Sequence, residues 1–268
     1  MNVTFIVPVY NQAKYLPKAI ESIASQTFKW HETIIVNDSS PDNAEEVIDG
    51  LISKYPSLEI RKMHTENIGP SNARHTGIMN SRCAHYVPLD ADDWIEPNYL
   101  ERMFDTVNKA KDNSSIGFYY CDTVYHTEGS NHKQNIPSPE YSLFQLIQNN
   151  FVSYCSMFNK HIYLQEKYNL DNFGYLEDYE LYLRLGRKGY YGKHVAESLF
   201  NYLVHKDSSF QSERTKKLQI FYRYYIIAKY PEIHPLQWVE EANRELKKMP
   251  DGFMKMTPKE QEKLIESL

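Results

Sequence analysis

Three carboxylates follow an apolar run directly in the stretch VPLDADDWIEP: Asp90, Asp92 and Asp93. Two carboxylates placed two positions apart on a loop can share a hard divalent cation, because such cations prefer oxygen ligands. Aspartates are also common in solvated turns and at helix N-termini, so this alternative stays open for the cluster taken alone. A divalent-cation site is therefore one of two interpretations of these residues.

A calcium-binding EF-hand loop is a further alternative for the same stretch. Asp90, Asp92 and Glu101 fall at positions 1, 3 and 12 of such a loop. Ile95, however, occupies the position that requires glycine, and the preceding residues have the pattern of a strand rather than a helix. We therefore exclude an EF-hand.

Two further candidates could bind a nucleotide. Asp38, in IIVNDSS, could accept hydrogen bonds from a base or a ribose, or it could cap the helix that follows Pro41. Arg74, in NIGPSNARHTG, could pair with a diphosphate or stack on a base, and Gly69 before it allows a ligand to approach the backbone. A surface arginine beside a helix start is the alternative for Arg74.

Glu177 and Asp178 open a predicted helix in GYLEDYELYL. Negative charge is stabilised at a helix N-terminus, but a carboxylate that faces a cleft can also act as a general base. His205 is a lone histidine at the end of a predicted strand, where packing is as good an explanation as ligand binding. Ser208 and Ser209 could contact a phosphate, although serine is common in turns.

The elements that must position these residues alternate along the first half of the chain. Short apolar runs at 3–9, 32–37, 58–63 and 84–89 predict four strands, and helical patterns lie between them. This order predicts an α/β fold with a mainly parallel sheet and helices on both faces. Ligands of such sheets bind beyond the carboxyl ends of the strands. Three predicted strands deliver polar or acidic residues to that edge.

The second half is less regular. We predict a strand over 114–126, a polar loop over 126–140, a helix over 141–149, a helix around Leu181, Tyr182 and Leu185, and a strand over 197–210. Residues 213–268 have the pattern of a helical tail. The predicted domains are 1–210, divided into halves at about residue 97, and a helical C-terminal extension over 211–268.

Composition excludes several classes of protein. The 268 residues carry a formal net charge of -5, which argues against a nucleic-acid partner. The three cysteines form no CxxC pair and predict reduced, buried thiols. The N-terminus has the pattern of a first strand rather than a signal peptide, and no apolar run reaches the length of a membrane span. We expect a cytoplasmic protein, with peripheral membrane contact left open and the oligomeric state unassigned.

Taken together, these segments resemble the family 2 glycosyltransferases, which have the GT-A fold. The resemblance runs in order over about residues 1–210 through the motifs VTFIVPVYN, VNDSS, NIGPSNARHTG, PLDADDW and LEDYEL. Five motifs in sequence make chance agreement improbable. No GxGxxG follows the first strand and no GxxxxGK[ST] occurs, so neither a dinucleotide site nor a P-loop is supported.

The resemblance implies a role for each matching position. Asp178 would be the catalytic base, with Glu177 beside it at the acceptor. Asp92 would bind Mn²⁺ or Mg²⁺, and His205 would complete the metal site, although NYLVH lacks the arginine of the family pattern. Within the nucleotide-sugar site, Asp38 would hold the base, Arg74 would lie near the base or diphosphate, and Asp90 would contact the ribose. The full set of residues implied for the nucleotide sugar is Pro8, Val9, Tyr10, Asn11, Asp38, Asn67, Gly69, Arg74, Asp90 and Ala91. The role of Asp93 stays unassigned between orienting its neighbours and capping the next helix.

The resemblance also implies an activity. We expect an inverting, metal-dependent transfer of sugar from a nucleotide sugar, with UDP favoured, to a glycan, glycolipid or glycoprotein acceptor of a cell-surface polysaccharide or glycoconjugate. Two alternatives stay open: a catalytically silent subunit that keeps the fold, and another nucleotide-sugar enzyme such as a pyrophosphorylase. For the tail, we favour a packed helical cap over a segment that closes on the acceptor or rests on a membrane.

Overall fold

The computed structural model describes residues 2–29, 31–110, 114–166, 176–206 and 213–250, with the short pieces 252–253, 256, 260–261 and 263–264. The side chains of residues 213–215 lie outside this description. Within the described residues, the chain forms a mixed nine-stranded sheet covered by helices.

The first half forms four parallel strands, as predicted. They are β1 (Val3–Val9), β2 (His31–Asn37), β3 (Glu59–His64) and β4 (His85–Pro88), joined by α1 (Leu16–Ala24), α2 (Ala44–Lys54) and α3 (Pro70–Asn80). Strand β1 pairs in parallel with β2 and β4, and β2 pairs in parallel with β3. Because parallel strands end at the same edge of a sheet, the loops that follow β1, β2 and β4 meet there.

The second half is more mixed. Its elements are β5 (Trp94–Ile95), α4 (Tyr99–Lys109), β6 (Ile116–Thr127), β7 (Lys133–Ile136), α5 (Leu143–Gln148), β8 (Met157–Asn159), α6 (Lys160–Gln165), α7 (Glu177–Arg187), β9 (Tyr191–Val204), α8 (Glu213–Lys229), a 3₁₀ turn (Pro231–Ile233) and α9 (Leu236–Leu246). The strand order is β3-β2-β1-β4-β8-β6-β9-β5, with β7 beside β6. The long strands β6 and β9 run parallel, whereas β8, β5 and β7 pair with their neighbours antiparallel.

Two cores lie on opposite faces of the sheet, as predicted for helices on both sides. Alternate residues of β1 point to opposite faces, so Phe5 and Val7 pack with α1, α2 and α4, while Ile6 packs on the face of α3, α7 and α8. Helix α3 lies very close to β1, because a Cβ at Gly77 would be 2.5 Å from the Cγ2 atom of Ile6. Ala73, Gly77 and Ile78 form the buried face of this helix.

The structure corrects some local expectations. Residues 126–140 are not only a polar loop, because β7 forms there and pairs with β6. Helix α2 begins at Ala44 rather than near Pro41. The sequence pattern also missed β8 and α6, which have three and six residues and are too short to show a period. The three cysteines are buried and free, as expected.

Helix α8 of the predicted tail packs on the second core. Leu218, Tyr222 and Ile226 are fully buried against it, which supports the packed helical cap. Among the described residues, every helix is too short or too polar to cross a membrane. The domain boundary near residue 210 stays a prediction.

Candidate functional site

The acidic loop after β4 is held by a buried network. Asp93 is only 1% exposed, and its carboxylate accepts hydrogen bonds from the Tyr154 hydroxyl and, at 2.8 Å, from the backbone N–H of Leu203. The same Tyr154 hydroxyl accepts a hydrogen bond from the backbone N–H of Asp90 at 3.1 Å. Asp93 therefore orients the loop, and the alternative of a helix cap is wrong, because α4 begins only at Tyr99 after Asn98.

The three aspartates of this loop are close enough to share a cation. Asp90, Asp92 and Asp93 each offer one carboxylate oxygen, and these oxygens lie within 4.8 Å of one another. Burial, followed by the neighbouring charge of Asp90, raises the pKa of Asp92. Burial and the charges of Asp92 and Asp90 raise the pKa of Asp93 well above its usual value. Crowded, desolvated oxygen ligands of this kind fit Mn²⁺ or Mg²⁺, since a divalent charge would relieve their mutual repulsion.

His205 lies beside this cluster, as the resemblance implies. Its Nε2 atom is 2.9 Å from an Oδ2 oxygen of Asp92, and its ring packs on Tyr15 with ring centroids 4.6 Å apart. His205 is 5% exposed, so it lies behind Asp92 rather than on the surface of the cleft. Its geometry suits the positioning of the Asp92 carboxylate, and its role as a metal ligand stays a prediction.

Arg74 joins two of the predicted motifs. Its guanidinium donates from Nη2 to both carboxylate oxygens of Asp90, at 2.7 and 2.9 Å, and from Nη1 to Glu177 at 2.6 Å. Arg74 is 6% exposed, so these charge-assisted bonds form in a largely desolvated setting. These bonds from Arg74 to Asp90 and Glu177, called the clamp below, hold the start of α7 against the acidic loop. Arg74 is therefore not the surface arginine of the alternative interpretation.

Asp178 stands in the first turn of α7 and is half-buried. Its Oδ1 atom accepts a hydrogen bond from the backbone N–H of Tyr179 at 2.7 Å. Burial, followed by the negative charge of Glu177, raises the pKa of Asp178 to about 7. Among the described residues, Asp178 forms no ion pair. A carboxylate whose pKa lies near neutral pH suits general-base chemistry.

Asp38 organises the loop before α3. Its carboxylate accepts hydrogen bonds from the Thr65 hydroxyl at 2.6 Å, the Ile68 N–H at 2.9 Å and the Gly69 N–H at 2.8 Å. It does not cap the helix after Pro41, so that alternative is wrong. Asn67 and Gly69 adopt positive φ values of 52° and 86°, which turn the chain toward Asp38.

A cleft of about 310 Å³ lies where these loops meet. It is lined by eleven of the fourteen predicted site residues: Pro8, Val9, Tyr10, Asp38, Asn67, Gly69, Arg74, Asp90, Asp92, Glu177 and Asp178. The three others, Asn11, Ala91 and His205, do not line it. Asn11 is exposed, whereas Ala91 and His205 are buried beneath the loop. Ser208 and Ser209 lie outside the described residues.

Sequence reasoning missed several residues that line the cleft, above all Tyr154 and Tyr202. Tyr154 lies in a loop without periodicity, and nothing in the sequence marks its contact with Asp93. Tyr202 is on β9, where the alternation of the strand could have indicated an inward side chain. Burial and the nearby aspartates raise the pKa of Tyr202 above its usual value, so its hydroxyl stays protonated.

A second cavity, of about 560 Å³, adjoins the cleft. Tyr154, Asp178 and Tyr202 line both spaces. The other walls come from strands β6, β7 and β9, the segment 149–153, and helices α7 and α8. The predicted catalytic carboxylate therefore stands at the boundary between two cavities.

Comparison with known proteins identifies the family. The model of "Glycosyl transferase family 2" matches residues 4–166, which is more than half of the chain. The glycosyltransferase GlyA of Streptococcus pneumoniae is 36% identical over 120 residues, covering 44% of this chain and 17% of its own length. The chondroitin synthase of Escherichia coli is 27% identical over 219 residues, covering 81% of this chain and 30% of that protein. The chain thus spans less than a third of the length of these relatives.

Solved structures share the fold. A structure of S. aureus TarS residues 1–349 in complex with UDP matches with a TM-score of 0.66 at 17% identity, over 97% of this chain and 77% of that one. The mannosyltransferase PcManGT of Pyrobaculum calidifontis, in complex with GDP-Man and Mn²⁺, matches with a TM-score of 0.61 at 14% identity, over 90% and 68%. These likenesses confirm the predicted GT-A fold. The family match over residues 4–166 shows that the chain belongs to glycosyl transferase family 2.

Proposed function

We propose that the protein is an inverting, metal-dependent glycosyltransferase that moves a sugar from a UDP-sugar to an acceptor hydroxyl during the assembly of a cell-surface glycan. One observation carries this proposal. The crowded carboxylates of the acidic loop lie at the same cleft as Asp178, whose pKa is close to neutral pH. Complexes of the two structural relatives with UDP and with GDP-Man and Mn²⁺ support a nucleotide-sugar donor. The chondroitin synthase relative supports a glycan product.

In this proposal, the acidic loop holds the cation. Asp92 is the leading ligand, because it lines the cleft and is oriented from behind by His205. Asp90 is held by Arg74 and would contact the ribose of the sugar nucleotide. When bound, Mn²⁺ or Mg²⁺ would neutralise the negative charge that develops on the departing diphosphate.

Asp178 is the proposed base. Glu177 is ion-paired with Arg74 at 2.6 Å, whereas Asp178 has no ion-pair partner among the described residues. Asp178 is therefore the better placed of the two carboxylates to take a proton. Its oxygen would accept the proton of the acceptor hydroxyl while the bond from that oxygen to the anomeric carbon forms. The bond from the anomeric carbon to the diphosphate oxygen breaks, and the nucleoside diphosphate leaves with the electron pair. One base and no carboxylate nucleophile give inversion at the anomeric carbon.

The loops after β1 and β2 are the proposed nucleoside site. Asp38 uses three of its four acceptor positions within the protein, so its Oδ2 atom retains a lone pair for a base N–H. Tyr10, which is 47% exposed, offers an aromatic face at the mouth of the cleft. Both side chains would contact the same end of the donor.

Two substitutions test the proposal together with a donor panel of UDP-GlcNAc, UDP-Glc, UDP-Gal and GDP-Man. Melting temperature with Mn²⁺ reports nucleotide binding, since a ligand of the native state raises it. Nucleotide release in the presence of acceptor reports transfer. We expect Asp92→Ala to lose both the melting shift and transfer. Asp178→Asn should keep the shift and lose transfer by about 10³-fold, within the range that general bases contribute.

Asp105→Asn is the matched control, because this partly exposed carboxylate pairs, among the described residues, only with Arg102 on its own helix. It should leave binding and transfer unchanged. Full transfer by Asp178→Asn would contradict the assignment of the base. Nucleotide binding by the unaltered chain without any release would instead favour a catalytically silent subunit.

A further inference from the structure

The second cavity is placed to receive the molecule that accepts the sugar. It opens onto the donor cleft at Asp178, and Tyr154 and Tyr202 form walls of both spaces. At about 560 Å³ it is larger than the cleft and falls within the range of small-molecule pockets. A hydroxyl of a molecule bound there could lie within reach of both the proposed base and a sugar bound in the donor cleft.

The wall of this cavity combines aromatic and polar groups. Phe151, Tyr179, Phe200 and Tyr202 supply flat apolar surfaces. The Nε2 atom of Gln219 and the Oγ atom of Ser153 are buried and have no hydrogen-bond partner among the described residues. Buried polar atoms are rarely left unsatisfied in folded proteins. Both residues line the cavity, so a ligand with hydrogen-bonding groups that reaches these atoms would satisfy them.

Helix α8 adds positive charge to the wall. Arg223 lines the second cavity but not the donor cleft, and its Nη2 atom donates to the backbone oxygen of Gln148 at 2.6 Å. Seven other arginines have a described guanidinium, and each lies within 4.0 Å of a carboxylate. Arg223 has no carboxylate partner within the part of the chain that the structure describes. Lys216 lies on the same wall.

Among the described residues of the wall, acidic and basic side chains lie at different places. Asp178 is the acidic residue of this described set, and it stands where the cavity meets the cleft. The cations come from α8, which does not line the cleft. Arginine is well suited to planar anions because its fixed donors can bind two oxygens at once.

We propose that this cavity binds a sugar acceptor that bears an anionic group, a carboxylate or a phosphate, held by Arg223 while a free hydroxyl faces Asp178. The proposal rests on the proposed glycosyltransferase function and adds the class of acceptor. The aromatic walls would contact the sugar ring, and Gln219 and Ser153 would bind its hydroxyl groups.

Binding of three small probes tests this proposal without any turnover. The probes are methyl β-D-glucoside, methyl β-D-glucuronide and glucose 6-phosphate, each titrated by ligand-observed NMR into the full chain saturated with UDP and Mg²⁺. We expect at least one anionic probe to bind about tenfold more tightly than the neutral glucoside. The comparison of glucuronide with phosphate identifies which anion is preferred.

Variants assign the effect to the cavity. Arg223→Gln should reduce the affinity for the anionic probe to that for the neutral probe. Arg223→Lys should retain part of the preference for the anionic probe. Arg244→Gln is the control, because Arg244 is an exposed arginine on α9 that pairs with Glu245; it should change nothing. Gln219→Ala should weaken all three probes by a similar factor.

Equal affinity for the neutral and anionic probes would overturn the proposal. An unchanged preference for the anionic probe would also overturn it, if the Arg223→Gln variant has the melting temperature of the unaltered chain. Either result would leave the glycosyltransferase function standing if UDP with Mn²⁺ still raises the melting temperature. Loss of that donor shift in the unaltered chain would instead count against the proposed function.

Discussion

The donor cleft and the second cavity share three side chains but are built in different ways. Carboxylates of the cleft have partners within the protein, as the bonds from Arg74 to Asp90 and Glu177 and from three donors to Asp38 demonstrate. The second cavity keeps polar atoms of Gln219 and Ser153 without partners among the described residues. The difference indicates that the cleft is preorganised for one kind of ligand and its chemistry. In the second cavity, a bound ligand would supply the hydrogen-bond partners that these polar atoms lack among the described residues.

The strongest test of preorganisation is removal of the clamp in Arg74→Met. This change leaves two carboxylates in a largely buried setting without their cation, and breaking a buried pair costs about 3–5 kcal/mol. We expect the free energy of unfolding to fall by that amount in urea titrations, and transfer to fall more than 100-fold. Arg82→Met is the control, because Arg82 forms a single bond of similar length, 2.7 Å, to Glu59 at the surface. Exposed pairs contribute at most about 1 kcal/mol. Equal losses in the two variants would show that the clamp is not part of a buried, preorganised cleft.

Tyr154 lines both the donor cleft and the second cavity, so removal of its hydroxyl tests whether the acidic loop of the cleft is held in place by this residue. Tyr154→Phe removes the donor to Asp93 and the acceptor for the Asp90 N–H. We expect a loss of about 1–3 kcal/mol in stability, because a buried carboxylate loses one of its two partners. Groups that orient metal ligands typically change metal affinity 10–100-fold, so Mn²⁺ should bind at least tenfold more weakly in a calorimetric titration with UDP.

Tyr99→Phe provides the matched control for that experiment. Tyr99 is fully buried, and its hydroxyl donates to the backbone oxygen of Cys155 at 3.0 Å, with no described hydrogen bond to the three aspartates of the acidic loop. The free energy of unfolding of Tyr99→Phe should fall by about 1 kcal/mol, and its Mn²⁺ affinity should be unchanged. If both tyrosine variants bind Mn²⁺ like the unaltered chain, Tyr154 has only a packing role.

The pH dependence of transfer tests the role of Asp178, which stands at the boundary between the donor cleft and the second cavity. Because the pKa of Asp178 is raised to about 7, the proposed base is protonated below that pH, and kcat/KM should fall about tenfold per pH unit there. Asp178→Asn should remove this dependence from its residual activity. A flat profile between pH 5 and 8 in the unaltered chain would contradict the assignment.

The same carboxyl gives a smaller effect on stability, with a defined sign. Between about pH 4 and pH 7, the folded chain keeps the proton on Asp178 while the unfolded chain has lost it, because the folded pKa is raised from 3.8. The contribution of this group to stability is therefore present below pH 4 and is lost as the pH rises through about 7. Melting curves at pH 5 and pH 7 should differ less in Asp178→Asn than in the unaltered chain.

The parallel half and most of the cleft could be predicted from the sequence because the signals there are local. Short buried strands are followed directly by polar residues, and the rule for parallel sheets brings those strand ends together. The contacts that complete the site are not local. Arg74 reaches Glu177 across 103 positions and Tyr154 reaches Asp93 across 61, and no periodicity marks such a pair. Asp38 was ambiguous for the same reason, since its partners lie 27 to 31 positions further on.

The mixed half was predicted less well because its elements are short and its pairing is set by neighbours. Strand β7 has an exposed face and a polar sequence, so only its pairing with β6 identifies it. The second cavity was not predicted at all. Its walls come from the segment 149–153, strands β6, β7 and β9, and helices α7 and α8, which meet only in the folded chain.

The wall shared by Tyr154, Asp178 and Tyr202 has a consequence for the fate of the donor. A base that can activate a hydroxyl can also activate water, and water would consume the donor without making product. A molecule seated in the second cavity would occupy the space beside Asp178 from which water could otherwise approach. The acceptor would thus displace the competing nucleophile by its own presence, so that productive use of each activated sugar rises with the occupancy of the second cavity.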